Sequence, residues 1–270
     1  MDFAHYAQRP DAQLALLEGS VLIAQDEYPG FQLANAEAAI EELALPLESL
    51  QLSRMSARAQ ARALSEHLYV ACGFRGDVET YHAPENSYLN RVLERRQGIP
   101  ISLAVVYMEV ARRLSVSARG VGFPGHFLVR LDTEHDSAIV DPFFGGEILD
   151  SARLEQLLGN MRPRLKLHQD MLEPASVRAI IARMLTNLRA IYSARADAGR
   201  LLVVLDHLSD LLPDAVDVVR DRGFLHARMG ANAAAIADLQ CYVDVLPHAD
   251  DAEQIRAAIE RMSGSSSTQN

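Results

Sequence analysis

A chain of 270 residues, 49% of them hydrophobic and with a mean hydropathy of −0.02, reads as an ordered globular protein with room for one large domain or two smaller ones. Its net charge of −10 and pI near 5.4 argue against nucleic acid or an anionic membrane surface as the partner. The two cysteines, Cys72 and Cys241, form no CxxC pair, which argues against a disulfide framework and against a structural zinc site.

The opening residues, MDFAHYAQRPDAQ, lack a basic region followed by an apolar run, so no signal peptide is expected. Residues 10–45 predict two helices. The first carries Leu14, Leu17, Val21, Leu22 and Ala24 on one broad face and stops at Tyr28-Pro29-Gly30, and the second stops before Pro46. Another helix covers about residues 53–70 and ends near the glycines of the 73–76 loop. Asn86 is placed to cap a short helix through Arg95, and Pro100 suits the first turn of a longer helix reaching about residue 114. The periodicity then changes. Residues 117–132 and 137–150 alternate and are joined by Thr133-Glu134-His135-Asp136, which predicts a small antiparallel sheet beside a large helical body.

A further helix and a proline-containing linker at 161–176 follow. From Val177 the chain is helical, and Leu211-Leu212-Pro213 recurs as Val245-Leu246-Pro247, 34 residues on, which is the tetratricopeptide period. In that register Leu205 matches Leu239, Leu201 matches Ala235 and Leu208 matches Tyr242. Gly223, Ala235 and Pro247 fall where such repeats want small residues and a stop. Cys241 matches His207 and is expected to pack. The expected organisation is a first domain over 1–160, a linker over 161–176, helical repeats over 177–262 and a disordered tail over 263–270. No run approaches the roughly 20 apolar residues that cross a bilayer, and a cytoplasmic protein is expected.

The residues able to do chemistry are few. His126 in GFPGHFLVR and Asp141 in IVDPFFGG lie on neighbouring strands, where a carboxylate can orient an imidazole as in the base half of a nucleophile–His–Asp triad. Ser102 is the one hydroxyl in the first turn of the helix opened by Pro100, and Cys72 could enter such a site only if a distant loop folded in. Arg95 and Arg96, beside that helix start, could hold a carboxylate or a chain terminus. No metal-ligand spacing and no phosphate-binding glycine loop is present, so no metal and no cofactor is expected.

The stretches ENSYLNRVLERRQGIPISLAVVYMEVARRL, GVGFPGHFLVR and VDPFFGG, with the later ADLQCYVDVLP, resemble the SirB1 family of bacterial proteins over nearly the whole chain. The resemblance implies an α+β fold: a papain- or transglutaminase-like core with a small antiparallel sheet, followed by an all-α tetratricopeptide-like segment. It also implies the positions of a Cys–His–Asp triad. His126 and Asp141 take two of them, Gly98 and Ala104 flank the third, and the residue in the nucleophile's place is Pro100. Proline has neither a nucleophilic side chain nor an N–H. Ser102, two residues on, points roughly 200° away around the helix.

Three readings follow. In the first, a non-catalytic module binds a protein or peptide in a degenerate cleft lined by Asn86, Arg95, Arg96, Pro100, Phe123 and Gly125, with the repeats as a second surface. In the second, a hydrolase or acyltransferase uses Ser102 or Cys72 with His126 and Asp141. In the third, His126 and Asp141 are a buried pair tying two strands together, and binding is left to the repeats. A hydroxyl or thiol within about 3–4 Å of His126 would favour the second. A filled site at Pro100 would favour the third.

Overall fold

A computed structural model of the protein describes residues 2–266. They form two compact units. One is Arg9–Met184, and the other holds the residues from Leu185 onward together with those up to Gln8. The short helix α1 (Phe3–Ala7) therefore belongs with the second unit, although sequence alone assigns it to the first domain.

The first unit contains α2 (Leu16–Gln25), α3 (Leu33–Ala44), α4 (Ala57–Ser65), α5 (Leu89–Arg95), α6 (Pro100–Arg113) and α7 (Ser151–Met161). Its centre is α6, in which every residue from Pro100 to Ala111 is buried. A helix apolar on all sides can be stable only inside a core. Pro100 is tolerated at its start because the first-turn N–H would have no partner in the helix anyway. Ser102 secures that start: its Oγ accepts the Ile99 N–H at 3.1 Å and donates to the Asn86 carbonyl at 2.6 Å.

Four antiparallel strands, β3 (Ala118–Val121), β4 (Leu128–Asp132), β5 (Ser137–Asp141) and β6 (Glu147–Leu149), pair in chain order, with Val129 opposite Val140. A parallel two-residue ribbon, β1 (Arg75–Gly76) with β2 (Gln97–Gly98), precedes them. It is too short to leave an alternating pattern. One face of the larger sheet packs Val121, Leu128, Ile139 and Leu149 with Phe123 against Leu154 and Leu158 of α7. Helix α6 packs against β3 and β4, and α4 against β5. With both faces covered, β4 and β5 hold consecutive buried residues, which blurs their alternation.

The segment expected as a linker is part of this unit. Leu167, Met171 and Leu172 pack on the sheet cluster, the Ala175 N–H donates to the Gly120 carbonyl at 2.8 Å, and Pro174 bridges Val121 on the outer edge of β3. Proline suits that place because an edge strand leaves one side of the backbone unpaired.

The helices that follow are α8 (Val177–Ala194), inside which the division between the units falls, then α9 (Ala198–Leu211), α10 (Val216–Arg228), α11 (Asn232–Val245) and α12 (Ala252–Ser266). The 34-residue repeat is literal in the backbone: α9 and α11 start and end 34 residues apart. The closing bonds recur too, from the Leu212 N–H to Leu208 and from the Leu246 N–H to Tyr242, each at 2.9 Å, followed by Pro213 and Pro247. Leu239, Tyr242, Val243, Ala252 and Ile255 form a core cluster. His207 stacks on Phe3 of α1, with centroids 4.0 Å apart.

Two expectations change here. Cys241 is exposed rather than packed, because it lies on the outer face of α11. Helix α12 continues to Ser266, into the span expected as a tail, and residues 267–270 lie outside the described residues. Gly223 sets the approach of α10 to α11: a Cβ there would come 2.8 Å from Leu239 Cγ and 3.0 Å from Asp238 Cβ. Gly223→Val is therefore expected to cost about 2 kcal/mol by overpacking, read as a lower urea midpoint.

Candidate functional site

The site begins with two turns. Gly125 adopts a left-handed φ of 80°, and the His126 N–H closes back on the Phe123 carbonyl at 2.9 Å, which aims the imidazole inward just ahead of β4. The His126 carbonyl accepts Arg183 Nη2 at 2.7 Å, and that guanidinium lies over the Phe127 ring at 5.4 Å. Asp141 ends β5 and folds its side chain onto the turn after it. Its Oδ1 accepts the N–H groups of Phe143 at 2.9 Å and Phe144 at 3.2 Å, an Asx turn completed by two glycines at positive φ.

These turns bring His126 Nε2 to 2.9 Å from both carboxylate oxygens of Asp141, with the two side chains only 4% and 2% exposed. Facing an anionic carboxylate, Nε2 is the donor, and Nδ1 is then the free acceptor of the neutral ring. No hydrogen bond reaches Nδ1 among the described residues. Aromatic rings close the space around the imidazole. Phe144 stacks at 6.1 Å and Phe143 meets it edge-on at 6.3 Å. Phe143 also lies against Gly76, where a Cβ would come within 2.6 Å of its ring and carbonyl, and Gly76 pairs with Gly98, two residues before Pro100. A buried phenylalanine thus touches both the imidazole and the ribbon that leads into α6.

Neither nucleophile considered from the sequence is in reach. The Ser102 hydroxyl is buried and committed to Asn86 and Ile99. Cys72 Sγ lies 3.5 Å from Nε2 of a different histidine, His67, which also bonds the Leu43 carbonyl at 2.8 Å.

Of the six residues expected to line a cleft, Asn86, Pro100 and Phe123 are buried, Arg95 and Arg96 are half-buried, and Gly125 is exposed. Pro100 is buried, and Phe123, 0% exposed, belongs to the sheet cluster. Asn86 caps no helix: Tyr88 is the N-cap of α5, and Asn86 is 0% exposed. Its Nδ2 donates to Asp77 Oδ2 at 3.1 Å and to the Thr80 carbonyl at 2.8 Å, and its Oδ1 accepts Arg95 Nη1 at 3.1 Å. Arg95 is spent in the same network, 3.5 Å from Asp77. Arg96 ends α5 at a left-handed φ of 56° and lays its guanidinium over Phe74 at 4.9 Å. Gly125 alone of these is exposed.

Sequence reasoning passed over Asp77, the centre of that network. Burial pushes its carboxyl up, but the hydrogen bonds from the Thr80 hydroxyl and N–H and from Asn86, with the charge of Arg95, outweigh it and hold the group at about 2. The Asp-x-x-Thr spacing at 77–80 is the one local signal of this Asx turn. Among the described residues no group of three or more His, Cys, Asp or Glu could hold a metal ion, and no helix is long and apolar enough to cross a membrane.

Comparison with known proteins agrees with this geometry. A model of the transglutaminase-like superfamily matches residues 34–186, and a tetratricopeptide-repeat model matches residues 188–260. A UPF0162 protein of Xylella fastidiosa is 35% identical over 262 residues, covering 94% of this chain and 92% of the relative. A UPF0162 protein of Vibrio cholerae is 28% identical, covering 93% of each chain. Protein SirB1 of Salmonella typhimurium is 29% identical over 207 residues, covering 76% of this chain and 77% of that one. Among solved structures, menin in a study of its binding site for the Mixed Lineage Leukemia protein overlaps 88% of this chain and 68% of its own at 10% identity and a TM-score of 0.38, too slight a likeness to carry an argument. With the matches to both family models and to the UPF0162 relatives, the chain belongs to the transglutaminase-like superfamily, alongside the UPF0162 and SirB1 proteins, and carries a tetratricopeptide segment after the transglutaminase-like domain.

Proposed function

We propose that this protein is a non-catalytic member of its superfamily that binds a protein or peptide partner, with its transglutaminase-like domain kept as a scaffold. One observation carries the reading: the buried His126–Asp141 pair has neither Ser102 nor Cys72 as a partner, since both are engaged elsewhere, and the family resemblance puts Pro100 at the nucleophile's position. General base catalysis needs a proton to take within hydrogen-bond reach, and Nδ1 has none in this arrangement. The pair then serves as a clamp between the turns before β4 and after β5. Because Pro100, Asn86 and Phe123 are buried, partner binding is assigned to surfaces outside the former cleft. The tetratricopeptide segment supports such a role, and Phe224 and Val245 on its helices and Met229 in the turn after α10 are apolar side chains 40%, 56% and 47% exposed.

The test is an acyl-transfer assay with carbobenzoxy-glutaminyl-glycine and a fluorescent primary amine, and an ester assay with p-nitrophenyl acetate, run on wild type and His126→Ala. Both proteins are expected to match the buffer background. Turnover that falls about a hundredfold or more in His126→Ala would overturn the reading, since a general base contributes on that order.

A further inference from the structure

Arg183 of α8 is a half-buried cation without a counter-charge. Its Nη2 donates to the neutral His126 carbonyl at 2.7 Å, and its guanidinium lies over the Phe127 ring at 5.4 Å. It makes no ion pair among the described residues, and its Nε and Nη1 find no acceptor there and stay reachable from solvent. Burial pulls the group down from the usual guanidinium range, and the one side chain acting against that is the Tyr81 phenol, which is neutral at physiological pH. The influence is mutual, since Arg183 is the one charge that acts on Tyr81. Glu79 and Glu85, in the same loop as Tyr81, act on neither. A guanidinium does not shed its proton in a protein, so the charge stays in place. Holding it partly out of water without a partner is costly, and a carboxylate brought by a ligand would offset that cost.

Arg183 and Tyr81 border a strip of aromatic rings. Tyr81 meets Phe143 edge-on at 5.8 Å, and Phe143 meets Phe144 at 5.2 Å. Phe144 stacks on His126, the residue whose carbonyl holds Arg183. Tyr81 is 39% exposed and Phe144 54%. Two groups with hydrogens to donate, Nη1 and the Tyr81 hydroxyl, therefore adjoin exposed apolar surface, all within the unit Arg9–Met184.

On the reading of this chain as a partner-binding protein, we propose that Arg183 and Tyr81 bind the C-terminal carboxylate of a partner peptide whose last side chain is apolar. The carboxylate supplies the counter-charge that Arg183 lacks, accepting from Nη1 and from the Tyr81 hydroxyl, and the last side chain covers the Phe144 ring. A chain terminus suits this surface better than an acidic stretch, because it brings a single negative charge to a protein whose net charge is −10.

The chain contains no tryptophan, so a tryptophan-bearing peptide reports its own binding through emission anisotropy. The probe is acetyl-Gly-Gly-Trp-Leu with a free carboxylate, titrated with the full chain, and saturable binding is expected. Its C-terminal amide should bind about tenfold more weakly or worse, and so should acetyl-Gly-Glu-Trp-Leu amide, whose carboxylate is on a side chain. Arg183→Met should weaken the free acid about tenfold and Tyr81→Phe about threefold, and binding to wild type should weaken as salt rises. If Arg183→Met fails to fold, Tyr81→Phe and the acid–amide pair on wild type decide the matter. No saturable binding of the free acid, equal affinity for acid and amide, or full affinity in a folded Arg183→Met would overturn the proposal. So would equal binding of the glutamate-bearing amide, which would make an internal acidic residue the occupant. Failure here leaves the acyl-transfer assay untouched, and His126-dependent turnover there would leave this binding standing, so the two readings fail separately.

Discussion

His126→Ala should destabilise the protein by about 3 kcal/mol, seen as a lower urea midpoint with little change in slope. Removing the imidazole leaves the Asp141 carboxylate 2% exposed with only the Phe143 and Phe144 N–H groups to hold it. Breaking a buried pair from one side strands the other charge, which costs more than the pair contributes. Asp141→Ala should cost at least as much, because it also releases the turn after β5. The double variant should fall short of the sum of the two, since each already removes the same bond. A measured loss near zero for His126→Ala would show that the imidazole has no structural part.

Asp77→Ala should cost about 2 kcal/mol by orphaning the buried Asn86 amide, releasing the Thr80 turn and leaving Arg95 without its carboxylate. The same carboxylate makes stability depend on pH. Its group titrates at about 2 in the folded chain against 3.8 ordinarily, so the ionised form is favoured by folding. That contribution is complete above about pH 5, begins to fall as the unfolded chain takes up its proton near 4, and is almost gone by about pH 2. The wild type should therefore lose ~2 kcal/mol more than Asp77→Ala between about pH 5 and about pH 2. Parallel pH profiles for the two proteins would remove Asp77 from the account.

Patterns that repeat along the chain were legible in the sequence. The 34-residue recurrence marked α9 and α11 at their true spacing, and the change from helical to alternating periodicity marked the β3–β6 region. The meeting of His126 and Asp141 followed from two adjacent strands of one antiparallel sheet.

What escaped is set by single contacts between distant residues, which leave no period. Asn86 carries the residue type of a helix cap but is drawn inside by Asp77 and Arg95, and the helix begins later, at Leu89. Phe143 closes the site because Gly76 leaves room for it, a fact visible only in three dimensions. Residues 161–176 have the composition of a linker, yet Leu167, Met171 and Leu172 find an apolar face to cover. Likewise Phe3, far away in sequence, finds His207.

On the proposed reading the His126 site is closed and structural. Its most direct test is the rate at which diethyl pyrocarbonate acylates His126 in the native protein, mapped by peptide mass spectrometry against the exposed His135. Closure predicts that His126 reacts roughly a hundredfold more slowly than His135, the protection given by a local opening cost of about 2.7 kcal/mol. Equal rates at the two histidines would mean an open cleft with a reachable imidazole, and would overturn that reading.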